Sequence, residues 1–231
     1  MWNTEKHELE IDSLINKGVK SYIYQINELL GPKSYIGMPN YCKIHPHIII
    51  TPESYTIKNK SFQLMKTTKD LYTWYLGLVK KIGNRTESLV PIVDELISKA
   101  KTDEEKIKNI YYWVQDNIRY VAFEYGIMGF KPEDCQSVLN NKFGDCKGMA
   151  NLTKEMLKLA GFDARLTWIG TNDLPYNYSL PSLVVDNHMI CTVIHKGQYL
   201  FLDPTEKNSN LYENGARIQG KQALIEMEIL T

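Results

Sequence analysis

At 231 residues, 43% of them hydrophobic and 23% charged, the chain is long enough to bury a substantial core as one large domain or two small ones. Lys+Arg and Asp+Glu balance at 27 each, so the net charge is zero; with no basic cluster interleaved with aromatics, a nucleic-acid partner is not expected. No stretch approaches the roughly 18 consecutive apolar residues that a membrane-spanning helix needs.

Residues 1 to about 65 read as strands and turns. His7-Glu8-Leu9-Glu10-Ile11 and Tyr22-Ile23-Tyr24-Gln25-Ile26 alternate, and His47 to Ile50 is a short β-branched run closed by Thr51-Pro52. Gly31-Pro32 and Met38-Pro39-Asn40 punctuate the segment. It is expected to be a β-rich unit, part of a sandwich or a small sheet. Met1-Trp2-Asn3-Thr4-Glu5-Lys6 lacks the basic-then-apolar order of a signal peptide. Alternation begins almost at once, as in a piece cut from a longer protein.

From about residue 67 the period turns helical. Leu71, Trp74, Tyr75, Leu78 and Ile82 share one helical face, with Gly83 as a stop. Leu89, Val93, Leu96, Ile97 and Ala100 predict a second helix. A third starts at Thr102, where Thr-x-x-Glu (Thr102 to Glu105) is a capping box, and buries Ile107, Ile110, Tyr111, Val114 and Ile118. Residues 121–145 are rich in loop, with a short helix near 134–140. A further helix runs from Cys146 to Ala160 and is stopped by Gly161. Strands are expected at about 162–170, 187–195, 198–203 and 222–229, with 171–186 as a long loop. Residues 1–65 and 66–231 are therefore read as a β-rich segment and an α+β core.

The four cysteines, Cys42, Cys135, Cys146 and Cys191, form no Cys-x-x-Cys pair, so neither a structural zinc site nor a disulfide scaffold is expected. His45 and His47 flank Pro46 without a cysteine or carboxylate beside them, and no metal or other cofactor is expected.

Chemistry concentrates in Phe143-Gly144-Asp145-Cys146-Lys147-Gly148. Gly-Asp is a turn, Asp145 is a good N-cap, and Cys146 takes the first helical position. The unpaired N–H groups and the macrodipole there favour an anion, hence a thiolate nucleophile. Gly148 is expected to leave open space on the first turn for a substrate. Farther on, Asn187 to His195 and Gln198 to Pro204 read as two strands joined at Lys196-Gly197, a two-residue hairpin turn. In that register His195 faces Gln198, Val193 faces Leu200 and Ile190 faces Asp203. His188 shares a face with Ile190, so His188 and Asp203 become diagonal neighbours about 7–8 Å apart, within reach of each other's side chains. Asp203 can then orient the imidazole and leave its second nitrogen to a thiol. His195 and Cys191 lie an odd number of residues from His188 and point to the other face.

These segments resemble the transglutaminase-like superfamily of papain-related folds. The resemblance rests on Gly144-Asp145-Cys146 opening a helix, His188 starting a strand and Leu202-Asp203-Pro204-Thr205 closing the next, with the order Cys, His, Asp. Trp113 to Tyr120, Lys131-Pro132 and Ser137-Val138-Leu139 resemble the lead-in of such cores. Gly148 stands where related cores commonly have Asp. The first 65 residues resemble the tail of a β-rich domain often found upstream of such cores in exported or surface proteins, so a periplasmic or cell-surface parent is the expectation.

The resemblance implies nucleophilic acyl transfer with Cys146, His188 and Asp203 as the triad: hydrolysis of an amide or peptide bond through a thioester, with transamidation open. The backbone N–H of Cys146 would hold the oxyanion with Tyr120, or else Gln136, as second donor. The partner would be a peptide or amide substrate, with a protein or a cell-wall peptide among the candidates. The alternative is a transglutaminase-like binding or scaffolding module without turnover. A cysteine-dependent acetyltransferase would need a phosphate-binding signal, which the sequence does not show.

Overall fold

The computed structural model describes residues 9–26, 35–122 and 125–227. By packing, the chain divides into two compact units, Met1–Met38 and Pro39–Thr231; the change of period at 65/66 falls within the second.

The first unit holds the hairpin β1 (Leu9–Asn16) and β2 (Val19–Ile26), paired antiparallel with Asn16 opposite Val19. The expected alternation at His7 and Glu8 lies outside the described residues. The turn is Lys17-Gly18, both with positive φ. Lys58-Asn59 and Lys196-Gly197 repeat this solution. Two successive left-handed residues match the right-handed twist of the flanking strands, which is why these pairs sit at hairpin tips.

In the second unit, α1 (Tyr41–Ile44) is a single turn capped by Asn40, too short to leave a period in the sequence. The run His47–Ile50 forms no ladder; Pro46 and Pro52 bracket it, and each lacks the N–H that a ladder needs. The hairpin β3 (Ser54–Ile57) and β4 (Lys60–Gln63) follows.

Three helices come next: α2 (Thr68–Val79), α3 (Val90–Ile97) and α4 (Asp103–Asn117). A full capping box between Thr67 and Asp70 starts α2. At α4, Thr102 accepts from the Glu105 N–H at 3.1 Å, but the Glu105 carboxylate reaches back to the Lys101 N–H at 2.6 Å, one residue earlier than the sequence pattern implies. The predicted apolar face of α4 is buried in full, from Ile107 to Ile118.

The remaining elements are β5 (Arg119–Tyr120), a 3₁₀ turn (Gly126–Gly129), α5 (Cys135–Asn141), β6 (Phe143–Gly144) and α6 (Cys146–Leu159). They lead into β7 (Asp163–Ile169), β8 (His188–His195), β9 (Gln198–Leu202), a 3₁₀ turn (Ala216–Ile218) and β10 (Ala223–Ile225). The last four strands form one sheet in the order β10-β7-β8-β9 with every neighbour antiparallel. Helix α6 is the hub. Met149, Leu152, Met156 and Leu157 pack with α3, α4 and α5 in one cluster. Cys146 and Ala150 face a second cluster built from α2, β7 and β8 through Leu71, Tyr75, Leu166, Trp168 and Met189. The helix ends as its sequence predicts: Gly161 has φ +88°, its N–H bonds Lys158 O, and Phe162 N–H bonds Leu157 O, the paired hydrogen bonds of a Schellman stop. No helix among the described residues is long and apolar enough to cross a membrane. The chain is thus an α+β fold with a β-rich lead-in.

Candidate active site

The short parallel pair β5–β6 fixes the approach to the α6 N-terminus. Tyr120 lies opposite Gly144, and the Val121 N–H donates to Gly144 O at 2.9 Å. Asp145 then caps α6, its Oδ1 accepting from the Gly148 N–H at 2.8 Å while its Oδ2 pairs with the buried Lys147 ammonium at 2.6 Å. Cys146 follows as the first helical residue, 3% exposed. That position puts it at the positive end of the helix macrodipole. Gly148, however, does not open space for a substrate: a Cβ there would lie 3.0 Å from Val138 Cγ2 of α5. Its role is close helix packing.

The β8–β9 register follows the sequence expectation, with His195 opposite Gln198 and Val193 opposite Leu200. Continued past the end of β9, it brings Asp203 to His188, whose Nε2 lies 2.8 Å from Asp203 Oδ2. Both residues are buried. Cys146 lines the same cleft as this ring and acts on its titration; with Nε2 on the carboxylate, Nδ1 is the nitrogen left for the thiol. Burial works against the charged imidazole, but Asp203 and Cys146 outweigh it and raise its pKa to about 9. Burial likewise opposes the charged carboxylate of Asp203, and the hydrogen bond and charge of His188, with Thr205 and Arg217, hold it down at about 2.

Each oxygen of Asp203 has a partner. Oδ1 accepts from the Thr205 N–H at 3.1 Å and the Thr205 hydroxyl at 2.6 Å. Oδ2 takes His188 and an Arg217 Nη2 donor at 2.9 Å. The carbonyl accepts from the Tyr111 hydroxyl at 3.0 Å, so α4 holds the backbone behind the carboxylate.

A cleft of about 230 Å³ opens on this group, with Cys146, Lys147, Trp168, Asp186, His188 and the loop residue Phe130 among its walls. Of the other residues singled out in the sequence, Tyr120 stands beside Gly144 but is not a cleft wall. Gln136, on α5, accepts from the Ser88 hydroxyl and donates to Asn140, also away from the cleft. His195 turns outward to Asp103 at 3.4 Å. Cys135 and Cys191 are buried thiols outside the cleft. His47 Nδ1 meets His45 O at 2.8 Å, and among the described residues no group of three or more His, Cys, Asp or Glu is placed to hold a metal.

Two residues of the site were not legible as such. Arg217 arrives through an irregular loop from Asp203 to Gly215, and nothing near it in sequence marks it. Asp186 had a faint signal: it lies two residues before His188 and so shares its side of an extended chain.

Comparison with known proteins bears on the fold that carries this site. Residues 91–204 match the transglutaminase-like superfamily. This segment belongs to that superfamily. The chain is similar to the human kyphoscoliosis peptidase, 34% identical over 73 residues, which is 30% of this chain and 11% of that protein. A crystal structure of a candidate protease from Parabacteroides distasonis ATCC 8503 superposes with a TM-score of 0.62 at 12% identity, over 94% of this chain and 38% of the other. A candidate cysteine protease from Cytophaga hutchinsonii is similar at a TM-score of 0.43 and 15% identity, over 65% of this chain and 51% of the other. The chain thus spans only a minor part of the first two relatives. The shared property is the fold around the transglutaminase-like core.

Proposed function

We propose that the chain is a cysteine-dependent acyl-transfer enzyme that hydrolyses an amide or peptide bond through a thioester on Cys146. One observation carries the reading: the sulfur at the head of α6 and one imidazole line a single cleft, and a buried carboxylate holds that imidazole at 2.8 Å. The peptidase and protease names of the relatives support the same direction.

In this reading the thiol proton passes to His188 Nδ1, and the sulfur attacks the carbonyl carbon. The tetrahedral oxyanion forms next to the Cys146 N–H; Tyr120 and Gln136, which lie off the cleft wall, are not placed to be its second donor. The C–N bond then breaks, His188 returns the proton to the leaving amine, and a thioester remains. Water, deprotonated by His188, releases the acid; an amine in place of water gives transamidation. Asp203 fixes the ring so that one nitrogen faces sulfur, and it stabilises the imidazolium each time it forms.

The test is an electrophilic thiol probe on the wild-type chain, Cys146→Ala and His188→Ala, followed by a peptide-library screen. Probe adduct and turnover are expected in the wild type, with both absent from Cys146→Ala and strongly reduced in His188→Ala. Equal labelling of all three proteins discards the mechanism and leaves the binding-module alternative.

A further inference from the structure

Asp186 is a cleft residue that the proposed chemistry does not use. Its side chain is only partly buried, and it sits on the cleft wall with Cys146 and His188. The Tyr75 hydroxyl donates to its Oδ1 at 2.7 Å and the Tyr178 hydroxyl to its Oδ2 at 2.9 Å. One phenol per oxygen holds the carboxyl in place and leaves acceptor capacity on both oxygens.

What Asp186 lacks is an ionic partner. The cleft's other charged groups have ionic partners: Lys147 pairs with Asp145 and His188 with Asp203. Among the described residues Asp186 has no ion pair, and two neutral hydroxyls are its only protein partners. The surrounding wall is aromatic, with Tyr75 stacked on Trp168 at 4.8 Å between ring centroids and Phe130 opposite the same cleft. Aromatic faces attract cations as well as apolar surface, so this wall tolerates an ammonium while offering little to a second anion. Burial raises the Asp186 pKa to about 6 while the two tyrosine hydrogen bonds pull it down. The group is therefore mostly charged at neutral pH.

We propose that Asp186 is a specificity residue that holds a primary ammonium of the acyl-donor substrate, so that the cleft selects amides carrying a free amine beside the scissile bond. The inference rests on the acyl-transfer reading for the word substrate. The ammonium belongs to the donor and not to an attacking amine, because a carboxylate that keeps an amine protonated removes the lone pair that attack requires. A lysine-type side chain and a free α-amine share this chemistry.

The test is calorimetric binding to Cys146→Ala, which cannot turn over, of three ligands: Nα-acetyl-lysine N-methylamide, its norleucine counterpart, and norleucine N-methylamide with a free α-amine. At least one ammonium ligand is expected to bind about tenfold or more tightly than the uncharged compound, and which one binds identifies the source of the amine. Asp186→Asn in the same background should erase the difference. If that variant fails to fold, Tyr178→Phe, which removes one donor that holds Asp186 charged, should shrink it. Equal binding of all three, no binding of any at millimolar concentration, or a preference that survives these changes overturns the proposal. Because the readout does not use the thiol, a chain that binds ammonium without turnover sinks only the acyl-transfer reading. A chain that turns over amides without charge preference sinks only this one.

Discussion

Arg217 places its Nη2 2.9 Å from Asp203 Oδ2, the oxygen that also receives His188. The guanidinium lies between that carboxylate and Glu206, whose Oε2 is 3.2 Å from Nε, and it also donates to the Thr205 hydroxyl. Arg217 therefore ties the carboxylate that aims the imidazole to the loop following β9. In the acyl-transfer reading we propose, it is a positioning residue that acts on the ring through Asp203.

Arg217→Met should lower kcat/KM on the order of tenfold, because a slightly misaimed ring costs catalysis more than binding. Since Arg217 helps to hold Asp203 charged, the variant should also lose activity at higher pH on acidification than the wild type. A kcat/KM profile on the acid side reads this, and an unchanged acid limb would refute the role.

Asp203→Asn keeps the size of the side chain but can donate where the ring must donate, favouring the wrong tautomer and leaving the imidazolium unpaired. Turnover should fall on the order of 10³-fold, while Cys146 still takes the thiol probe. Full activity in this variant would remove Asp203 from the triad.

Iodoacetamide at neutral pH should modify Cys146 ahead of Cys135 and Cys191. Burial raises the Cys135 thiol to about 11 and pushes Cys191 up as well, and neither opens on the cleft. His188→Ala should slow labelling of Cys146 by about tenfold or more, because the sulfur loses the imidazole that takes up its proton. Peptide mapping by mass spectrometry gives each rate, with Cys42→Ser as the background that removes the half-buried fourth thiol. Equal slow labelling of the three would contradict the prediction.

The His188–Asp203 pair should leave a signature in stability against pH. His188 titrates higher in the folded chain than its ordinary 6.5, so its contribution is complete below about 6.5 and fades as pH rises toward 9. Asp203 titrates lower than its ordinary 3.8, so its contribution is complete above about 4 and fades as pH falls toward 2. Between those limits the ion pair is whole and should add roughly 3 kcal/mol, counted once for both partners. The Tm difference between wild type and His188→Gln should be largest from about pH 4 to 6.5 and shrink above it; a flat difference would be inconsistent with the pairing.

Gly148→Ala should destabilise the fold by about 1–3 kcal/mol, since the new Cβ meets the fully buried Val138 at 3.0 Å. Val138→Ala combined with it should show coupling of about 0.5 kcal/mol or more in a denaturation cycle. Additive losses would mean that the two helices do not touch there.

Much of this protein is written in local sequence. The period of α4, the caps at Thr102 and Asp145, the Gly161 stop and the Lys196-Gly197 turn each depend on residues within one or two turns of each other, so short-range sterics and hydrogen bonding decide them. The turn then sets the β8–β9 register, and with a side-chain period of two that register alone brings His188 to Asp203 and sends His195 away. The run 47–50 misled because β-branched residues need a partner strand as well as propensity.

Tertiary structure alone decided that Cys146 and the His188 ring share one cleft, since helix and strand are joined by packing of α6 on the sheet and not by any local rule. It also decided that Gly148 serves a helix contact, that Arg217 returns to Asp203, and that Tyr75 and Tyr178 meet on Asp186 across more than a hundred residues of chain. Such meetings depend on how buried surfaces fit, and a pattern read along one segment holds no information about which distant segment will lie against it.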